Sequence, residues 1–357
     1  MTGLALLSEP FLDLLNFKKM GEFMKRRIKS ILIYGMVAML SLSLTGCRNG
    51  EEASDTSENI VTTEEITTAS EEMTEEITEE VASVTDSGDT EISDVTETKE
   101  GCFTCTFDGL EHDFIVDTPE VVEGSPLVIM LHGYGQNAES FRLSCGFEKD
   151  ACEAGYTVVY VTGAKSSSDA TGATGWNSGL GDSENRDTAF LKALVKYIQE
   201  EYKTDASKTF AVGFSNGAFM THRLALEADD TFAAVVSVAG MMPVSIWETR
   251  PDSLSVGVFQ VTGEKDDVVP KNADGSADSS INPAIEDVMD YYVTANGMTE
   301  SGTEDIGKAS TLSKFENVDT GKSLWNLSIK DGRHSWPDEG VTGININQLI
   351  LDFMSAS

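Results

Sequence analysis

The chain is poor in histidine and in positive charge, and each scarcity excludes something. Four histidines occur in 357 residues, so chemistry that needs an imidazole must use His112, His132, His222 or His334. Lys and Arg number 25 against 60 Asp and Glu, a formal net charge of −35, and an excess of that sign repels the phosphates of nucleic acid. Residues 48–100 contain no aromatic residue, and they carry eighteen acidic residues against two basic ones with eleven threonines. Such a segment cannot bury enough apolar surface to offset the entropy of ordering it, so a disordered acidic linker is expected over 47–100. TEEIT recurs there at 63–67 and 74–78, but two copies amid dense glutamate repulsion read as a solvated spacer rather than a helical repeat. Cysteine is sparse as well. Beyond Cys47 there are Cys102, Cys105, Cys145 and Cys152, an even number that suits an oxidising compartment and leaves three pairings open. Cys102-x-x-Cys105 has no second pair and no histidine at ligand spacing, which argues against zinc. Cys145 and Cys152, if both lie on one helix, stand about 10 Å apart along it, too far for a bridge.

What is present begins with an addressing segment. Lys25-Arg26-Arg27 precede an apolar stretch at 31–44 that is short for a membrane span, and Leu44-Thr45-Gly46-Cys47 follows. This resembles the bacterial lipoprotein signal, matching its Leu-(Ser/Thr/Ala)-(Gly/Ala)-Cys box at every position. The resemblance implies cleavage after residue 46, lipid on the Cys47 sulfur and placement at the outer face of a membrane. Residues 1–46 are therefore set apart as signal, with Met24 a candidate start.

From residue 103 onward short apolar runs alternate with helix-like segments. Strands are expected at 103–107, 113–117, 126–131, 157–161, 208–212, 232–238, 255–262 and 323–329. Helices are expected around 139–153 and at 187–202, 218–228, 284–295 and 346–354, with 187–202 showing Phe190, Leu191, Leu194 and Ile198 on one face. The alternation predicts one α/β domain over 101–357, a doubly wound, mostly parallel sheet flanked by helices. At its centre stands Gly213-Phe214-Ser215-Asn216-Gly217, G-x-S-x-G between a buried strand and a helix, the context in which a sharp turn presents a serine hydroxyl. A serine is a weak nucleophile at neutral pH and needs a base and a group to orient it. His334, after the last strand, is the histidine placed for the base. His132 reads as structural, His112 opens an early strand, and His222 points from the helix into the fold. The acid must lie between Ser215 and His334, where Asp266, Asp267 and Glu264 all qualify; Asp331 shares the histidine's loop and suits less.

LHGYGQN at 131–137, GFSNG at 213–217, GEKDDVVP at 263–270 and HSWP at 334–337 together resemble the α/β-hydrolases that include extracellular polyhydroxybutyrate depolymerases, feruloyl esterases and acetyl xylan esterases. The resemblance implies an α/β-hydrolase fold, favours Asp266 as the acid, and makes Asp187 after Trp176-Asn177 part of the pattern. The chain departs from it at Thr262, at Ala218 where a glycine follows Ser-Asn-Gly, and at Arg333 where glycines precede the histidine. The backbone N–H groups of Tyr134 and Asn216 are the expected oxyanion donors, and Trp176 and Trp336 the candidates for a substrate wall. The expected function is a lipid-anchored, extracytoplasmic serine ester hydrolase working through an acyl-enzyme without cofactor or metal. Its expected partners are the membrane, through Cys47, and feruloyl or acetyl esters of plant polysaccharide. A polyester depolymerase, a serine peptidase on the same fold and a non-catalytic surface-binding lipoprotein remain as alternatives.

Overall fold

A strand that is apolar at nearly every position is stable only where both faces of its sheet are covered. The strands β4 (Leu127–Leu131), β5 (Thr157–Val161), β6 (Thr209–Phe214), β7 (Ala234–Val238) and β8 (Gly257–Gly263) have that character. The computed structural model describes residues 88–165, 171–180, 184–269 and 283–357, and it aligns these strands in parallel with β11 (Lys322–Ile329). Antiparallel strands extend both edges: β1 (Ser93–Lys99), β2 (Cys102–Phe107) and β3 (Leu110–Asp117) beyond β5, and β9 (Thr299–Ile306) and β10 (Ser310–Asn317) beyond β11. The order among the described residues is β1-β2-β3-β5-β4-β6-β7-β8-β11-β10-β9. From β4 the chain moves outward to β5 and then crosses to β6 on the other side. A crevice therefore opens at the carboxyl ends of β4 and β6.

Side chains along each strand alternate between two apolar layers. Leu127, Ile129 and Leu131 of β4 face the layer built with α3 (Asp187–Tyr202), α4 (Asn216–Glu227) and α6 (Ile285–Ala295). Val128 and Met130 face the layer built with α1 (Ala138–Cys145), α2 (Phe147–Glu153) and α8 (Ile346–Ser355). The short helices α5 (Val244–Trp247) and α7 (Glu339–Thr342) lie in connections.

Three expectations change. The folded part starts before residue 101: β1 pairs with β2, Asp89 and Asp108 exchange backbone-to-carboxylate hydrogen bonds, and Glu91 pairs with Lys196. The linker reading for 88–100 is thereby corrected, because backbone pairing with β2 holds a segment whose own side chains bury little. The helix expected around 139–153 is two helices, broken at Gly146, whose φ of 57° is left-handed. Cys145 and Cys152 thus sit on different helices, and all four described cysteines are free thiols. Strands β9 and β10 escaped the sequence reading because β9, TESGTEDI, is exposed almost throughout and has no apolar alternation. Cys47, the segment before it and linker residues 48–87 lie outside the described residues. Among the described residues no helix is long and apolar enough to cross a membrane.

Candidate active site

β6 runs directly into α4, and Ser215 sits at the junction with φ 53° and ψ −118°, a conformation that L-residues rarely adopt. Its neighbours hold it there. The Ser215 N–H donates to the Val238 carbonyl of β7 at 2.9 Å, and the Ser215 carbonyl accepts from the Phe219 N–H at 3.0 Å. The two flanking glycines are required by close approach. A Cβ on Gly213 would lie 2.2 Å from the Gly217 carbonyl oxygen, and one on Gly217 would lie 2.1 Å from the Leu131 carbonyl oxygen. Strand, helix and the loop leaving β4 can meet only because both positions lack a side chain.

His334, on the loop after β11, reaches Ser215 from above the sheet. Its Nε2 lies 2.9 Å from Ser215 Oγ, and its Nδ1 lies 2.8 Å from Asp266 Oδ2. Asp266 belongs to the turn after β8, and its other oxygen, Oδ1, accepts the N–H groups of Val268 at 2.9 Å and Val269 at 2.8 Å. Burial alone would raise this carboxyl, but the His334 hydrogen bond and the two backbone donors outweigh it and hold Asp266 below its ordinary value. The rival acids are elsewhere: Glu264 accepts from Ser328 Oγ, Asp331 pairs with Lys265, and Asp267 is exposed. The loops that carry Asp266 and His334 are joined by the Lys265 N–H donating to the Gly332 carbonyl at 2.8 Å.

Aromatic packing braces the histidine loop. The Phe214 ring centroid lies 5.3 Å from that of His334, Phe141 stacks on Phe214, and Trp336 meets Phe141 edge-on at 5.6 Å. Trp336 donates its indole N–H to Asn347 Oδ1 on α8 at 3.1 Å, and Asn347 Nδ2 donates to the Cys145 carbonyl at 3.1 Å. His334 is thus tied through Trp336 to α8 and to the end of α1.

The loop leaving β4 is fixed by His132. Gly163 N–H donates to His132 Nε2 at 3.0 Å, so the ring proton is on Nδ1, which donates to the Gly133 carbonyl at 2.7 Å. Burial holds this histidine at a pKa of about 4, so it stays neutral. Gln136 Oε1 accepts the Gly133 N–H, and the Gly135 N–H donates to the Thr174 carbonyl. Between them, the Tyr134 N–H has no hydrogen-bond partner among the described residues, and neither has the Asn216 N–H at the first position of α4. The Asn216 side chain accepts the Trp176 N–H at 2.7 Å and donates to Ser178 Oγ, which pins the following loop against α4.

Trp176 is not a substrate wall. It is 4% exposed, stacks obliquely on His132 and donates its indole N–H to the His132 carbonyl at 2.9 Å, so it supports the β4 loop from beneath. Trp336 is half-buried and committed to Asn347. The aromatic ring that does face solvent is Tyr134, 56% exposed and seated over Gly175, where a Cβ would lie 3.3 Å from Tyr134 Cδ2. Sequence reasoning took Tyr134 only for its backbone; an aromatic between two glycines on this loop was the available signal. Asp187 is buried at the start of α3 and accepts the Asn177 N–H at 2.5 Å, while His222 is enclosed between Tyr292 and Gln260. Among the described residues no cluster of three or more His, Cys, Asp or Glu is arranged to hold a metal ion.

The switch-point crevice, the sharp strand-to-helix turn and the loops converging on it define an α/β-hydrolase. Residues 113–288 match the model of the family described as esterase PHB depolymerase. It is 28% identical over 242 residues to "Putative esterase NocK" of Nocardia uniformis subsp. tsuyamanensis, a match covering 61% of this chain and 67% of that one. It is 25% identical over 162 residues to the bifunctional acetylxylan esterase/xylanase XynS20E of Neocallimastix patriciarum, covering 45% of this chain and 22% of the relative. The match to feruloyl esterase B of Talaromyces stipitatus is 27% identical and covers 32% of each chain. The chain therefore spans a third or less of the last two relatives. Acetyl xylan esterase from Aspergillus awamori shares the fold with a TM-score of 0.51 at 13% identity, covering 69% of this chain and 94% of that one.

Proposed function

We propose that the protein is a serine carboxylic-ester hydrolase whose reacting groups are Ser215, His334 and Asp266. The continuous path from Asp266 Oδ2 to His334 to Ser215 Oγ, at 2.8 and 2.9 Å, carries this reading. Asp266 holds the proton on Nδ1, leaving Nε2 free to take the Ser215 proton as Oγ attacks the ester carbonyl. The developing oxyanion is received by the N–H groups of Tyr134 and Asn216, each such donor being worth ~10²–10³ in rate. His334 returns the proton to the departing alcohol oxygen, leaving acyl-Ser215. Water, giving its proton to His334, then attacks the acyl carbon, and collapse restores the serine and releases the acid.

The substrate class is acetyl or feruloyl esters of plant-type polysaccharide. Tyr134 supports it: an exposed, backed aromatic face beside the oxyanion loop suits a sugar ring or a flat aromatic acid. Acetylxylan and feruloyl esterases among the relatives support it further. The family's own description favours hydroxybutyrate oligomers as the second reading. Comparison of kcat/KM on acetylated xylo-oligosaccharides, a feruloyl arabinose ester and hydroxybutyrate trimers decides between them, with the sugar esters expected to lead. A hydroxybutyrate preference overturns the substrate class. Equal loss on all substrates in Tyr134→Ala removes Tyr134 from recognition. Placement outside the cytoplasm by lipid on Cys47 belongs to the same proposal, and the mass of the mature N-terminal peptide tests it: an unmodified Cys47 contradicts anchoring.

A further inference from the structure

Arg333, the departure from the family pattern immediately before His334, has no part in the chemistry above. It lines a cavity of about 340 Å³ at the carboxyl ends of β7, β8 and β11, whose apolar lining includes the exposed Val341 and the half-buried Pro337 beside the buried Val238, Val261 and Ile329. Gly332, Arg333 and Ser335 also line it, so the cavity lies against the loop that carries His334. Its volume is at the small end for a ligand site, room for one sugar ring rather than a chain.

The charges at its rim are unequal in their commitments. Of the acids, Asp331 is paired with Lys265, and Asp338 caps α7 by accepting the Val341 N–H at 3.0 Å. Lys308 donates to the carbonyls of Gly340 and Val341. Lys330 and Arg333 are both exposed; Lys330 adds to Lys265 in holding the Asp331 carboxyl below its ordinary value, whereas the Arg333 side chain has no hydrogen-bond or ion-pair partner among the described residues. An uncommitted guanidinium with a second cation beside it at one cavity stands out in a chain with a net charge of −35. That overall charge does not cancel them, because at physiological salt the Debye length is about 8 Å and acidic groups further away are screened. The sign felt inside the cavity is set by its own rim.

We propose that this cavity is a subsite for a carboxylate-bearing sugar, a uronate residue on the same glycan as the ester cleaved at Ser215. The ring's C–H face lies against Val341 and Pro337, and the Arg333 guanidinium takes the carboxylate through paired N–H donors, with Lys330 adding charge. The subsite rests on the esterase reading for its purpose, but its ligand can be tested apart from it.

The test is calorimetric titration of the Ser215→Ala chain with an acetylated xylo-oligosaccharide carrying one uronate, and with its neutral counterpart. The acidic ligand is expected to bind about tenfold more tightly at low salt, a difference of about 1.4 kcal/mol. That preference should shrink in 0.5 M salt, weaken in Arg333→Lys and vanish in Arg333→Ala. With Ser215 intact, Arg333→Ala should lower the ratio of kcat/KM for acidic over neutral substrate about tenfold, through KM. Equal binding of the two ligands, or a preference that survives Arg333→Ala, overturns the subsite. If the chain with Ser215 intact hydrolyses no ester at all, the esterase reading falls, and the titration still decides the subsite.

Discussion

Replacing Gly217 by alanine adds one methyl group, and the structure says where it must go. The new Cβ would lie 2.1 Å from the Leu131 carbonyl oxygen, 2.6 Å from the Leu131 carbonyl carbon and 2.7 Å from the His132 carbonyl oxygen. All three are backbone atoms, so no side chain can rotate away. Restoring an ordinary contact above 3 Å requires the first turn of α4 and the loop leaving β4 to separate by about 1 Å. Those two elements supply Asn216 N–H and Tyr134 N–H, and they set the position of Ser215. A misplacement of that size is worth about 10²-fold in rate. Gly217→Ala should therefore lower kcat on 4-nitrophenyl acetate by roughly two orders of magnitude, and overpacking adds about 1–3 kcal/mol of destabilisation. Gly135→Ala provides the comparison: its φ of 74° strains an alanine, but a Cβ there meets nothing within 4 Å. It should cost about 1–2 kcal/mol with a smaller effect on kcat. Steady-state kinetics with urea unfolding of both variants separates the two outcomes. A Gly217→Ala enzyme with kcat within threefold of the parent refutes the reasoning.

Other consequences can be checked in the same way. A Cβ on Gly240 would lie 2.3 Å from Ala218 Cβ, so Gly240→Ala should lose about 1–3 kcal/mol and Ala218→Gly should restore part of it; independent, additive effects contradict the contact. Burial holds His132 and His222 at about 4 each, so the unfolded chain binds more protons between about pH 6.5 and 4, and stability falls as pH falls through that window. Burial pushes Asp187 up to about 6, which acts with the opposite sign, contributing stability towards acid that is lost as pH rises to 6. Asp187→Asn should then steepen the acid loss by up to about 1.4 kcal/mol per pH unit in urea midpoints between pH 4.5 and 6; an unchanged slope contradicts the assignment. Asn347→Ala removes the acceptor of the Trp336 indole N–H, worth about 1 kcal/mol, and frees the His334 loop. It should lower kcat several-fold on every ester while leaving KM unchanged, and a substrate-selective change in KM would place Trp336 against substrate instead.

The parallel core was legible because its strands are apolar on both faces, and the strand-to-helix turn because only glycines fit around Ser215. His334 followed from having four histidines to choose among and a place after the last strand. Charge and position narrowed the candidate acid to Asp266, Asp267 and Glu264 in one loop and the family resemblance favoured Asp266; what the structure adds is the turn that aims Asp266 inward at His334. What stayed illegible depended on contacts distant in sequence. Trp176 looks like a wall residue in a glycine-rich loop, and only the fold places it under His132. Ala218 looks like a defect until Gly240 is found opposite it. Strands β1 and β9 carry almost no apolar signal, since backbone pairing at the sheet edges asks little of their side chains.

The central claim is that His334, held by Asp266, makes Ser215 a nucleophile. Labelling the folded chain with a fluorophosphonate and locating the adduct by peptide mass spectrometry tests it most directly. One adduct on the peptide containing Ser215, lost in His334→Ala and strongly slowed in Asp266→Asn while both variants stay folded, is the predicted result. A folded chain that takes no label, or one labelled at another residue, contradicts the account.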